Sequence, residues 1–358
     1  MKYELIHIAL ALAIKLARNY AEVEPHTVLH RKYTKAIKQL SEVSRINALS
    51  NTYYTDALIT IHNRISYTKG IINKLEDYTA QLAGLSKTAE GLTQYYTLEA
   101  IKFFAYTDYA RVALTCKIAL EELEQNQAAT SSQKIKFLFL GAVAAIAAKR
   151  FEIAENYLLQ VQDFNTVSHL NWQVTMYYRV VCAFHEKKFY KAQELYDKAT
   201  KRQQHKALTE HWAILHAYLS ILNNRRFRLG KFFNETFEAS LDKAGLNIHI
   251  LIADLLVSLK QNRDRFLHRI DAIRSYSYRH LRGQATERAR FFLDFLFLIP
   301  RCDFERERLD QASRHIQEKL QRRSIYASHN LEIEIVPFEF LVELVLNKMK
   351  VKRRRGRV

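Results

Sequence analysis

His26 and His30 stand four residues apart with Glu22 one turn earlier, the spacing that sets three metal ligands along one helix face. Pro25 lies between Glu22 and the histidines and separates the carboxylate from their helix. His211 and His216 are five apart and poorly aligned, while Cys182 and His185, three apart, lie in an apolar run where a cysteine reads as a small packing residue. A closed zinc site takes about four such ligands, and no second half is visible, so no metal and no cofactor is expected. The sequence has no GxSxG elbow, phosphate-binding loop, HExxH or GxGxxG. The carboxylate pairs Glu121/Glu122 and Glu332/Glu334 read as exposed charges, without the burial that tunes an acid or a base. No catalytic residue is assigned, and the chain reads as non-enzymatic.

Binding chemistry is richer. Against 37 acidic residues stand 55 basic ones, a net charge of +18, which favours an acidic partner: nucleic acid, an anionic surface or an acidic protein. One basic cluster is Arg225, Arg226, Arg228 and Lys231, interleaved with Phe227, Phe232 and Phe233. Arginines among aromatics suit a stacked single strand, and equally suit rings facing a core with guanidinium groups in water. A second is the tail 348–358, with Lys348, Lys350, Lys352, Arg353, Arg354, Arg355 and Arg357. It is either a phosphate-binding arm that salt weakens or a solvated end. No zinc finger or RNA-recognition signature accompanies them. The three cysteines are odd in number and far apart, which points to a reducing compartment rather than a disulfide framework.

These residues must be carried by helices. Only 8 Gly and 3 Pro occur, too few turn formers for a large α/β enzyme. Residues 2–20 are apolar but hold His7, Lys15 and Arg18, so they read as a packed helix rather than an export signal. No stretch approaches the roughly 20 apolar residues of a membrane span, and a cytoplasmic protein without membrane insertion is expected. Further helices are predicted over 27–48, 53–65 and 70–82, with a linker at 84–91. Toward the end, helices are predicted over 248–259, 263–281, 285–299, 304–323 and 337–349. Residues 331–336, LEIEIV, alternate apolar and acidic like a short strand.

Between 136 and 199 one pattern appears twice. Leu138, Ala142, Ala145, Phe151, Ala154, Leu158 and Val161 are answered 38 residues later by Met176, Val180, Ala183, Phe189, Ala192, Tyr196 and Ala199. Fainter copies run through Tyr96, Ala100, Phe103, Tyr109, Val112, Cys116 and Ala119, and through Ile214, Tyr218, Ile221, Phe227 and Gly230. Small residues fall where helices approach closely and large ones where a gap is filled. The pattern resembles the tetratricopeptide repeat, although the family's period is roughly 34 residues. Residues 223–247 resemble a segment that follows the repeats in a group of uncharacterised bacterial helical-repeat proteins, which carries no assigned activity.

The resemblance implies an all-α protein, an α-solenoid of stacked antiparallel helical pairs. The expected organisation is an N-terminal helical segment 1–83, repeats over 92–222, a C-terminal helical segment 223–347 that completes the array, and the basic tail 348–358. In such arrays the first helix of each pair lines a groove for a partner's segment. By offset, the groove residues are Lys136, Phe139 and Val143, then Gln173, Tyr177 and Val181, then His211, Leu215 and Leu219. The expected function is a protein-binding scaffold or adaptor, the positive field favouring an acidic partner. The alternative is a nucleic-acid-associated protein using Arg225, Arg226, Arg228, Lys231, Arg353, Arg354 and Arg355.

Overall fold

The computed structural model describes residues 2–62, 69–164, 168–202, 204–223, 225, 227–228, 230, 232–233, 246–283, 286–327 and 332–349. Among them the fold is all-α, with fifteen α-helices packed in neighbouring pairs. They divide into two compact units, residues 1–102 with 114–137, and residues 103–113 with 138–358. The division falls inside the 92–222 stretch read as repeats, not at its ends. No described helix is long and apolar enough to cross a membrane.

The first unit begins with α1 (Lys2–Glu22), α2 (Thr27–His62) and α3 (Lys69–Leu82), each packed on the next. Small Ala13 and Ala17 let α1 approach α2, Tyr20 stacks on Tyr33 at 5.7 Å, and Tyr53 stacks on Tyr78 at 4.1 Å. The sequence placed a break between residues 48 and 53, yet α2 runs through it. The polar residues there and just before are used between elements: Asn51 Oδ1 accepts from Gln94 Nε2 at 3.3 Å, and, within the predicted helix, Asn47 Oδ1 accepts from the Thr88 hydroxyl at 2.7 Å. Ser50, fully buried, meets the Ser86 hydroxyl at 3.5 Å.

Three helices run from one unit into the other: α4 (Ala89–Ala105), α5 (Tyr109–Gln125) and α6 (Ser131–Ala147). Their starts are capped. Thr88 Oγ1 accepts from Gly91 N at 3.0 Å and Asp108 Oδ1 from Arg111 N at 3.1 Å. Thr130 and Gln133 bond reciprocally, side chain to backbone, as a capping box.

The second unit continues with α7 (Phe151–Gln162), α8 (His169–His185), α9 (Phe189–Thr200), α10 (Thr209–Leu222), α11 (Leu246–Gln261), α12 (Arg263–His280), α13 (Glu287–Leu298), α14 (Arg306–Arg322) and α15 (Phe338–Lys348). From α7 to α13 each element with described neighbours packs on the next, and α15 packs on both α13 and α14. One turn joins first helix to second repeatedly. Thr107, Lys149 and Lys187 are left-handed, with φ of 55°, 59° and 59°. The residue after each donates its N–H five residues back, Asp108 to Phe103 O, Arg150 to Ala145 O and Lys188 to Ala183 O, at 2.8–2.9 Å. Such a turn closes the last carbonyls of the first helix and delivers an aromatic, Tyr109, Phe151 or Phe189, as the opening residue of the second. Arg225 N reaches Ser220 O at 2.9 Å in the same way. Close approach is visible at Gly141, where an added Cβ would lie 3.0 Å from the Tyr157 ring.

Among the described residues 332–336 of the stretch expected as a strand over 331–336, no strand forms. Among the described residues the sole β-contact here is an isolated antiparallel bridge between Ala327 and Ile333, and the backbone bends at 335–336 before α15.

Candidate functional site

The first helices of the second unit carry polar and aromatic groups toward the chain's own C-terminal segment. At the end of α8, His185 is buried, and its Nε2–H donates to the carbonyl of Glu334 at 2.6 Å. Burial holds His185 neutral, its pKa lowered to about 4. On α11, His249 Nδ1 pairs with the Tyr218 hydroxyl of α10 at 3.0 Å, and its ring stacks on Phe338 at 6.3 Å. Desolvation lowers its pKa to about 3. Tyr109, at the start of α5, accepts from the backbone N–H of Ala327 at 3.1 Å.

Arg288, in the first turn of α13, is the hub. Its Nε and Nη2 meet the Glu334 carboxylate at 2.8 and 3.1 Å, and Nη2 also meets Glu339 at 2.6 Å. Nη1 donates to the carbonyls of Leu320 and, at 2.9 Å, Arg323. All five guanidinium N–H groups are thereby used, and the carbonyls ending α14 gain a cationic cap. Glu334 also accepts from Phe338 N at 2.6 Å, placing a negative charge at the N-terminus of α15, where the helix dipole favours it. Glu334 is 7% exposed, which corrects its reading as an exposed charge. Glu332 is exposed.

Around these anchors Ile325, Ala327, Ile335 and Val336 have at most 1% exposure. Further along, Phe340 meets Phe189 at 4.6 Å, Lys187 pairs with Glu343 at 3.0 Å, and Lys348 Nζ donates to Ile221 O at 3.2 Å. Residues 325–327 and 332–348 therefore pack against the turns and helix ends of the second unit.

The expected groove residues Phe139, Val143, Gln173, Tyr177, Val181, Leu215 and Leu219 are all buried, so they offer a partner no open surface. Gln173 Oε1 accepts from Trp212 Nε1 at 2.9 Å, and Tyr177 packs edge-on against His211 at 5.2 Å. His211 is half-buried, its Nδ1 has no hydrogen-bond partner, and desolvation lowers its pKa to about 4. In the first unit, Lys136 lies over the Tyr54 ring at 4.7 Å and donates to its hydroxyl at 3.0 Å. Offsets from the repeat placed these residues on first helices but could not reveal that they are buried.

Of the basic cluster, Arg225 and Arg228 are exposed while Phe227 and Phe232 are buried, the rings packing edge-on at 5.3 Å. Arg226, Lys231, Arg353, Arg354 and Arg355 lie outside the described residues. The histidine pair near Glu22 is spent on structure: His30 Nδ1 bonds Ala17 O at 3.0 Å, His26 Nδ1 accepts from Leu29 N at 3.4 Å, and Glu22 pairs with Arg18. Among the described residues no three His, Cys, Asp or Glu side chains are grouped to hold a metal ion. Cys116, Cys182 and Cys302 are buried free thiols.

Tyr109, His185, Arg288 and Glu334 were not singled out from the sequence as a site. The one signal was the acidic–apolar alternation of 331–336. Comparison with known proteins found no family, no curated protein and no solved structure that matches the chain.

Proposed function

We propose that the protein is a non-enzymatic scaffold, a solenoid of helical pairs similar in plan to tetratricopeptide arrays, that binds a segment of a protein partner. The observation that carries this reading is how the helical array holds its own chain. The non-helical residues Ala327 and Glu334 are held through their backbone, by Tyr109 and His185, and Glu334 also through its carboxylate, by Arg288. Backbone contacts give affinity to an extended segment and side-chain contacts give it selectivity. The recurring left-handed turn at Thr107, Lys149 and Lys187 supports the repeat plan. The net charge of +18 favours an acidic partner.

The test is a pull-down from native extract with the full chain and with a chain ending at Met349, each treated with nuclease and eluted in salt steps. A defined protein retained by both forms after nuclease treatment is expected. Recovery of nucleic acid alone, lost on truncation, would make the basic tail the functional element and overturn the scaffold reading.

A further inference from the structure

The C-terminal ends of α10, α11 and α15, all in the second unit, surround a pocket of about 390 Å³. Small-molecule sites fall in the range of roughly 300–1,000 Å³. Ile221 of α10, Leu256 and Leu259 of α11, and Leu344, Val345 and Met349 of α15 and the residue after it form apolar walls. The lining has two charged members, Lys260 and Lys348. Both are exposed while the walls are buried or half-buried, so the two ammonium groups stand at the mouth.

Neither lysine has an anionic partner among the described residues, because the carboxylates on the same two helices are turned to other cations. Asp254 meets Arg265 and Arg269 at 3.5 and 2.9 Å, Glu339 meets Arg288, and Glu343 meets Lys187. Lys348 Nζ donates to Ile221 O, which leaves two of its three N–H groups for another acceptor. Partial burial, and after it the charge of Lys260, hold the Lys348 ammonium below its usual pKa. Each lysine lies in the last turn of its helix, where the dipole favours a cation. That accounts for a cation at each helix end, but not for two like charges on one apolar pocket without a counter-ion.

We infer that this pocket binds a single-chain anionic amphiphile: an aliphatic chain of medium length against the leucines and Val345, with a carboxylate or phosphate head between Lys260 and Lys348. The chain gains by leaving water, and the head supplies the counter-charge that both lysines lack. A cationic ligand would add to the repulsion, and a neutral one would leave it in place. The site is separate from the capture of a protein segment and does not depend on that reading.

The probe is decanoate, titrated calorimetrically into the full chain, with decyl phosphate in parallel to tell which head binds more tightly. Saturable binding of one ligand per chain is expected. Affinity should rise about fourfold per methylene along the series from hexanoate to decanoate. Decanol, which keeps the chain and drops the charge, should bind about three- to tenfold more weakly than decanoate. Lys260→Met should cost a similar factor without moving the urea midpoint, since Lys260 is exposed and forms no ion pair with a described residue. Lys348→Met also gives up the Ile221 contact, so Lys260→Met is the deciding variant. Leu259→Trp, at a half-buried wall position, should block the pocket and abolish binding.

Absence of saturable binding below the micelle-forming concentration overturns the inference, as does equal affinity for decanoate and decanol. Affinity unchanged in both Lys260→Met and Leu259→Trp places the ligand elsewhere and overturns it too. Cosedimentation with anionic phospholipid vesicles but no uptake of monomeric decanoate would make the lysines part of a membrane-facing surface, and the pocket would not be a ligand site.

Discussion

At the scale of residues, Arg288 and Glu334 form a buried pair with side chains 5% exposed on each side. Two desolvated charges roughly cancel their own attraction, but removing one leaves the other stranded. Arg288→Met is therefore expected to lower the free energy of urea unfolding by about 3–5 kcal/mol. The double change Arg288→Met with Glu334→Leu should recover most of that loss, and a double variant no better than the single would show that the pair is not coupled. Sequence reasoning placed Glu332 and Glu334 on one exposed strand face. The error has a physical origin: alternation assigns faces only in a regular strand, and here the backbone bends at 335–336, so Glu332 stays in water and Glu334 turns inward. Gln173 was likewise legible as belonging to a first helix, but nothing adjacent in sequence announces the Trp212 indole that takes its carbonyl 39 residues later.

Among the elements, the strongest regularity is the left-handed turn between paired helices. A residue with a Cβ in that region is strained by roughly 1–2 kcal/mol relative to glycine. Replacing Lys149 by Gly is expected to raise stability by about 1 kcal/mol, after the greater entropy of glycine in the unfolded chain is subtracted. The position is exposed, so a thermal scan reads mainly the turn, whereas Lys187→Gly would also give up the Glu343 pair; a fall in the Lys149→Gly midpoint would refute the assignment. Gly141 behaves in the opposite way. With Tyr157 3.0 Å from where its Cβ would sit, Gly141→Leu should cost about 1–3 kcal/mol through overpacking of α6 against α7. Apolar periodicity made most helices legible to within a few residues, because each buries one stripe. It failed in α2, where the stretch with Ser50 and Asn51 read as a break but bonds to Ser86 and Gln94 across the unit.

For the molecule as a whole, the second unit stores neutral histidines. His185 and His211 have pKa values lowered to about 4 and His249 to about 3, chiefly by burial, against roughly 6.5 when unfolded. The unfolded chain thus binds more protons between those values, so stability is present above about pH 6.5 and falls as pH drops toward 4. Asp254 and Glu334, lifted by burial, act in the opposite sense nearer the carboxylate range. Acidification from neutral pH to about 4 is therefore expected to cost on the order of 3 kcal/mol at the buried His185, and less at the partly exposed His211. The urea midpoint should therefore fall steeply from pH 6.5 to 4.5, and less steeply in His249→Gln; a flat profile would contradict the buried neutral state.

The long separation of the anchors from the segment they hold carries one more consequence. Tyr109 and its partner Ala327 are 218 residues apart, and at a synthesis rate of about 5–20 residues per second the ribosome needs roughly 10–40 s to make the chain between them. Tyr109, and after it His185, must therefore wait for the backbone partners at Ala327 and Glu334 that complete them, so the second unit closes only late in synthesis.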